Sequence, residues 1–600
     1  MSAHIRAGGH RRGGRMRFGW VATPTGLLVL TVVSALAFAQ PSPLAPPGSV
    51  LPGVLTPAPD IGQYGGALVS SQIAEPRTFN PITAAEASST NLLAPIFEGL
   101  VEENILTGEI EPALAESWTV SPDGRMQTFT VRDGVQWSDG QPLTVEDVAF
   151  TLAAIFTDGV QTPFLDLLTV DGKPVRYRTL DSRRIRFTTD KPAGLLLRLL
   201  TSVKIVPRHR LAGVLARGGA EMSKAWGITT PPQEIIGTGP FVLQSYAPGG
   251  RAIYLRNARY WRVDAKGNRL PYLTRYEVMI VPTREDKRLK FMAGESDLYD
   301  ARPQEYADFT GQQKAGNYTI HDGPEALSAL FLMFNQNPAG LTAPKLTWFQ
   351  DVQFRRALNY AIDRTTIVER VYAGRATPAW GPVSPVNTLY WHRDLSPSPY
   401  DLSRAQEMLA AAGYRKGADG MLRDAQGTTV AFVLATISGN AEHDAIATIL
   451  RQDFAKLGIQ VTVTSEGFNT FVGQLLGTYQ WEAVIAQLLG KIEPGVGAQE
   501  VWVSSGPLHL WSPKQERPAT SWEAEIDQLF DQIGHEVRQA QRAALYRRWQ
   551  EIVAAQLPQM YFAYPKTQPA VRNTVGNVQL GLGEAVGSLS TLYRKGPYRP

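Results

Sequence analysis

Apolar positions along this chain recur at two periods that take turns with one another. Between Ala441 and Val463, Ile446, Ile449, Leu450, Phe454 and Leu457 fall on one helical face, Gly458 supplies a C-terminal stop, and Ile459, Val461 and Val463 then alternate as a strand. From Asp401 a second helix carries Ala405, Met408 and Leu409 inward and ends at Gly413. Near the end of the chain Ile526, Leu529, Phe530 and Ile533 make one helical stripe, and Val537, Ala544, Leu545, Ile552 and Val553 make another. Helical and strand periods that interleave rather than segregate predict an α/β architecture.

The stretch Ala113–Asp147 predicts a β-meander that feeds a helix. Ser121-Pro122-Asp123-Gly124 combines a proline that presets φ, an aspartate that bonds its own backbone and a glycine that accepts φ > 0, so the chain reverses there. Phe129 and Val131 then alternate with Thr128, Thr130 and Arg132 as a half-buried strand. Thr144 with Asp147 three residues on, ahead of Val148, Phe150 and Leu152, is a capping-box pattern.

Six hundred residues, 44% of them hydrophobic, supply several cores, and no internal repeat is present. Residues 1–39 read as a secretory signal: Arg6, Arg11, Arg12, Arg15 and Arg17 form a basic start, Leu27 to Phe38 an apolar run too short to span a bilayer, and Ala37-Phe38-Ala39 a cleavage site. Losing those five arginines turns the net charge of +4 into −1, which removes the electrostatic motive for nucleic-acid binding. Residues 40–59, with seven prolines, read as an extended leader. Cysteine is absent, which excludes disulfides, thiolate metal sites, a cysteine nucleophile and a lipid-bearing cysteine.

Motifs for chemistry fail in turn. No G-x-S-x-G elbow and no G-x-x-x-x-G-K-[ST] loop occurs, and Gly581-Leu582-Gly583 meets its third glycine at Gly587, one residue late for a dinucleotide fingerprint. His535-Glu536 has Gln539 where a zinc-binding helix needs a second histidine, so His535 reads as a helix-surface residue. Glu102-Glu103 reads as a solvated pair. No catalytic residue, metal or cofactor is expected.

Six ordered blocks carry a resemblance. Glu75-Pro76-Arg77-Thr78-Phe79-Asn80-Pro81 with Phe97-Glu98-Gly99-Leu100, the Ala113–Asp147 string, Gly237-Thr238-Gly239-Pro240-Phe241, Arg256-Asn257 through Tyr260-Trp261, Phe354-Arg355-Arg356-Ala357-Leu358 through Arg364, and Pro558-Gln559-Met560-Tyr561 stand in the order found in ABC-importer solute-binding proteins. The chain resembles the extracellular solute-binding protein family 5, the dipeptide, oligopeptide and nickel class, and its Tyr260–Tyr272 block is similar to the longer branch that includes oligosaccharide binders. The resemblance implies a periplasmic binding protein type II-like two-lobed clamp with an extra inserted lobe, built of mixed sheets flanked by helices. It implies lobe one from residues 60–102, 236–332 and 560–600, lobe two from 103–235, and lobe three from 333–559. Two crossings, near Phe334-Asn335-Gln336-Asn337 and near Tyr561-Phe562, would then act as a hinge.

The function so implied is a periplasmic, monomeric subunit, not an enzyme, that captures a peptide-like solute by closure and delivers it to an ABC permease. An oligosaccharide ligand is the alternative, and a secreted hydrolase the rival from another class. Candidate ligand residues follow. Gln487, Leu489, Lys491 and Glu493 lie where peptide-binding relatives carry an aspartate for the α-ammonium; the aligned positions here hold Gly490 or Lys491, and Glu493 substitutes only if the loop is re-registered. Trp502, Ser504, Ser505, His509 and Trp511 gather aromatic and small polar groups suited to peptide side chains or sugar rings, or else pack as core. Trp380 sits on a turn-rich segment, and Ser88, Ser89 and Asn91 lie in the loop before the first helix, as ligand contacts or as simple caps.

Overall fold

The structure, a computed structural model, describes residues 60–497, 499–582 and 586–596; the signal-like segment 1–39 and the leader 40–59 lie outside the described residues. Local signals in the sequence become geometry first. Ser121 Oγ donates to Asp123 at 2.5 Å and Gly124 adopts φ 68°, so Ala115–Val120 reverses into Met126–Val131. Phe129 and Val131 are buried while Thr128 and Thr130 are half-buried, the expected period of two. Asp147 accepts the Thr144 N–H at 2.8 Å and opens helix Val145–Ile155.

These strands belong to an antiparallel sheet in the order Ala115–Val120, Met126–Val131, Arg184–Thr188, Arg176–Thr179. A second four-stranded sheet pairs Ala67–Gln72 in parallel with Arg275–Ile280, then adds Arg251–Arg256 and Phe241–Ala247 antiparallel. One core runs through both, joining Phe129, Ile185 and Phe187 to Leu68, Phe241 and Val278. The block Tyr260–Tyr272 is a structural hairpin, as its turn residues predict. Fully buried Asp264 accepts from the Lys266 and Asn268 N–H groups, the Asn268 side chain and the Tyr272 hydroxyl.

The third sheet has five strands in the order Gln460–Glu466, Ala431–Ile437, Ala483–Gln487, Leu330–Phe334, Gln559–Tyr561. The first three run parallel and the last two pair antiparallel, so its centre is buried on both faces. Leu330, Leu332 and Phe334 enter one core with Leu434, Ile485 and helix Ala441–Lys456, while Phe331 and Met333 enter another with Val484, Ala486 and helices Ser521–His535 and Gln539–Gln556. The predicted Ala441–Val463 unit is present, with Gly458 at φ 86° and a Cβ-sized gap closed by the Gly420 carbonyl.

Two expectations need correction. The stripe expected on the last long helix holds only in part: Ile552 and Val553 are buried and Leu545 half-buried, but Ala544 is exposed, and the inward face adds Arg542, Ala543, Tyr546, Trp549 and Gln550. Polar residues hold much of that face, so an apolar pattern misplaces it. The first crossing is also elsewhere. Asn335 is fully buried at the end of the five-stranded sheet, where its side chain donates to the carbonyls of Tyr479 (2.9 Å) and Trp481 (2.8 Å). The chain instead passes to a three-stranded sheet (Leu298–Asp300, Pro569–Arg572, Tyr318–Ile320) along a short ladder. In it Gly323 N–H meets Thr567 O, Thr567 N–H meets Pro324 O and Ala326 N–H meets Pro565 O.

Arginines of the Phe354–Arg364 block tie this region together. Arg355 donates to the Phe349 and Gln556 carbonyls, and buried Arg364 to Ala379 O at 3.0 Å and Tyr561 O at 2.8 Å. Burial pushes both guanidinium pKa values down, yet backbone oxygens, and for Arg364 also Asn359 Oδ1 at 2.6 Å, take their donors.

Candidate functional site

Strand Ala483–Gln487 ends in the loop 488–497, and this loop forms one wall of a cavity of about 320 Å³. Leu327–Ala329, Phe331, Gln559 and Tyr561 supply the sheet side. Pro382–Ser384, Asn387, Val501, Trp502, Leu508 and Trp549 close the rest. Apolar groups dominate, and among the described residues the one charged side chain in the wall is Lys491.

Gly490 explains how the loop sits. A Cβ there would lie 2.1 Å from the Leu327 carbonyl oxygen, and its N–H donates to Ser328 Oγ at 2.7 Å. No side chain fits at 490, so of the two positions expected to face a solute, Lys491 is the one that presents a group.

Glu493 is placed differently from a ligand contact. Its carboxylate is 1% exposed and accepts from Tyr390 Oη, from Tyr546 Oη at 2.7 Å and from Arg542 Nε and Nη2 at 3.3 Å each. Burial and the Glu493 charge raise the pKa of both phenols, and the same charge outweighs burial to raise that of Arg542. Four donors leave this carboxylate no capacity for a solute ammonium, and the structure assigns it to the interior.

The Trp502–Trp511 segment divides in the same way. Trp502 is in the cavity wall, with its ring 5.0 Å from that of Trp549. Trp511 and His509 are fully buried beneath it: Trp511 Nε1 and His509 Nε2 both reach Glu523 Oε1 at 3.1 Å, and His509 Nδ1 bonds Val501 O at 3.1 Å. Burial would raise the Glu523 pKa, but bonds from His509, Thr520 and Gln515 win and hold it at about 2. Ser504 is buried on Asp527, while Ser505 is exposed and outside the wall.

The remaining expectations scatter. Ser88, Ser89 and Asn91 lie within helix Ala87–Leu93, not before it. Ser89 is buried, taking the Arg77 and Thr78 N–H groups at 2.9 and 3.3 Å, which is a structural bracing role; Asn91 is exposed. Trp380 stacks on Arg364 at 4.5 Å, one residue outside the Pro382–Ser384 wall by way of Gly381. Gln487 is exposed and not in the wall. Of the expected residues, Leu489, Lys491 and Trp502 line the cavity; Ser328, Ser384, Asn387 and Trp549, which stand in no motif, line it too, as does Gln559 of the Pro558–Tyr561 block. Glu102 and Glu103 are not a solvated pair: Glu102 binds Arg262 at 2.6 Å and Glu103 binds Arg198 at 2.7 Å.

A second cavity of about 320 Å³ adjoins the first through Val496 and Gly497 and is bounded by the inserted sheet's connections at 166–172 and 193–199. There Asp171, Asp531 and His535 bring their ligand atoms within 4.8 Å of one another. Lys191 pairs with Asp171 at 2.8 Å and His535 Nε2 lies 3.1 Å from it, so the carboxylate charge is already answered. Gly194 N–H donates to Gly534 O at 2.8 Å beside it, joining the inserted segment to helix Ser521–His535.

The family described as bacterial extracellular solute-binding proteins, family 5, matches residues 109–503, two thirds of the sequence. The chain belongs to this family. A probable ABC transporter-binding protein of Deinococcus radiodurans is 29% identical over 79% of this chain and 80% of its own length. Two solved structures share the fold. The oligopeptide-binding protein AppA of Bacillus subtilis, in complex with a nonapeptide, superposes with a TM-score of 0.67 at 22% identity over 89% of this chain and all of its own. The periplasmic binding protein MelB of Agrobacterium fabrum, in complex with stachyose, gives 0.67 at 21% over 90% and 86%. These likenesses settle the two-lobed type II fold, and family 5 is a family of binding proteins rather than enzymes. Among the described residues no helix is long and apolar enough to cross a membrane.

Proposed function

We propose that this family 5 protein is the periplasmic solute-binding subunit of an ABC importer, and that the cavity beside Lys491 receives a peptide-like solute. The observation that carries the reading is the cavity itself. It is mostly apolar, it opens at the loop following a central strand, and a few polar groups line it. Closure would turn on the ladder at residues 323–326 and 565–567, because those short segments connect the three- and five-stranded sheets. A solute stabilises the closed form only as far as it touches both sides more favourably there.

An oligosaccharide is the second reading. Trp502, Trp549 and Tyr561 place three aromatic rings in the wall, and MelB, of the same fold, is solved with stachyose. A thermal-shift panel of peptides and oligosaccharides separates the two, since a ligand at a hundred times its Kd adds about 2.7 kcal/mol of stability. Small-angle scattering with the best hit should show a smaller radius of gyration than the protein alone. An unchanged radius at saturation removes the clamp mechanism, and turnover of a hit would restore the hydrolase.

A further inference from the structure

The hydrogen-bond inventory of the cavity wall is unbalanced. Among its residues, Ser384 Oγ, Asn387 Oδ1, Trp549 Nε1 and Gln559 Nε2 are buried with no partner in the protein, and each residue is 1–2% exposed. The Asn387 amide is fixed by its other end, where Nδ2 donates to the Ile492 carbonyl at 2.7 Å, and Gln559 Oε1 accepts from Tyr561 Oη at 2.5 Å. The unanswered groups are therefore two pure donors, one hydroxyl and a single acceptor. Lys491 adds three more donors at the exposed edge and makes no ion pair among the described residues. Among the described residues no carboxylate lines the wall. Glu493 is consumed by Tyr390, Tyr546 and Arg542, and Glu103, which feels the Lys491 charge, is held by Arg198 at 2.7 Å outside the wall.

A cation inserted here would meet donors and a like charge, and lose its water for nothing. An oxygen-rich anion would neutralise Lys491, and a shift of the wall on closure would bring it the buried donors. We infer that the cavity selects a solute whose inserted end is anionic and acceptor-rich, a carboxylate flanked by carbonyl or hydroxyl oxygens, with Lys491 as the specificity-determining residue. This rests on the cavity being the solute site.

The test uses the purified full chain and calorimetric titration with one tetrapeptide in four forms: free, N-acetylated, C-amidated, and both. A neutral trisaccharide and trigalacturonate run beside them. N-acetylation is expected to change affinity less than threefold and C-amidation to weaken it tenfold or more, and trigalacturonate to exceed the neutral sugar. Lys491→Met should erase these preferences without moving the melting temperature. Ser384→Ala should weaken binding while leaving the unliganded protein as stable or more so, since it deletes an unpartnered buried hydroxyl; a merely structural serine would cost stability instead. Acid and amide forms binding alike, or a tenfold loss on N-acetylation, overturns the inference and leaves the site reading intact. Binding of trigalacturonate with no peptide overturns the peptide reading and supports the anion preference. Binding of the neutral sugar alone overturns the inference, and no binding by any probe overturns both.

Discussion

Glu493→Gln tests whether the loop's only acid is a buttress or a ligand group. In the wild type the carboxylate is sealed against Arg542, whose side chain is 8% exposed, and between two phenols whose rings meet edge-on at 5.0 Å. Glutamine keeps the volume but removes the charge that compensates the guanidinium, and its NH₂ must face a donor on one side. Breaking one half of a buried pair in this way costs about 3–5 kcal/mol, because the remaining charge stays desolvated. For a lobe of roughly 150–250 residues a kcal/mol moves Tm by about 2–4 °C, so the expected fall is roughly 6–20 °C by scanning calorimetry or dye-monitored melting. Glu493→Gln combined with Arg542→Gln should recover part of the loss, since the orphaned charge is gone. Affinity for solutes should change little at temperatures where the variant is folded. A variant that melts within 1 °C of wild type yet loses tenfold or more in affinity for free-amine peptides would refute this assignment and return Glu493 to the binding site.

Three further outcomes are expected. Gly490→Ala drives a methyl to 2.1 Å from the Leu327 carbonyl and should cost about 1–3 kcal/mol with a loss of binding; an unshifted melting curve would show that the loop is free to move. Acid unfolding should proceed in two windows. Burial holds His443 down at about 4 against an ordinary 6.5, so the unfolded chain takes up that proton first and stability falls from pH 6.5 to 4; Glu523, held at about 2 against 4.5, contributes about 3 kcal/mol above pH 4.5 that is lost towards pH 2. In Glu523→Gln the lower window should shrink, with other depressed carboxylates such as Asp300 supplying the remainder, and an unchanged limb counts against the His509–Glu523 contact. Asp171→Asn removes the partner of Lys191 and His535 at a half-exposed site, so it should cost less than about 1 kcal/mol in stability. A radius of gyration shifted towards that of the open form would then report that this pair helps hold the inserted segment on helix Ser521–His535, whereas a loss of several kcal/mol would contradict its surface character.

Most of the fold was legible because it is written in short-range rules. The turn at Ser121–Gly124, the cap at Thr144–Asp147 and the helix-stop-strand unit ending at Val463 each need only local chemistry, and each is where the pattern puts it. What went unread shares a physical cause. Arg542, Gln550, Glu493 and Asn335 are polar residues buried because a partner far along the chain answers them, His509 is answered by Val501 and Glu523 nearer by, and a pattern of apolar positions assigns such residues to the surface. The same cause displaced the last helix's stripe, put the crossing too late, and offered Glu493, His509 and Ser504 as ligand contacts.

The cavity inverts that relation. Lys491 is legible as an unusual residue at a familiar place, but its meaning depends on Ser384, Asn387, Trp549 and Gln559, which arrive from three separate segments and of which only Gln559 stands in a motif. In the interior, distant partners satisfy most buried polar groups and give stability. Unanswered groups occur elsewhere in the protein too, but four of them belong to residues that line this one cavity, where a solute can use them. Each unanswered donor lowers the stability of the unliganded protein and raises its affinity for a solute that answers it, so stability and binding should trade against each other across variants of these four residues. Replacing them one at a time by apolar isosteres should give melting temperatures and affinities that move in opposite directions. Parallel movement across the series would mean that the protein itself, not a solute, satisfies them.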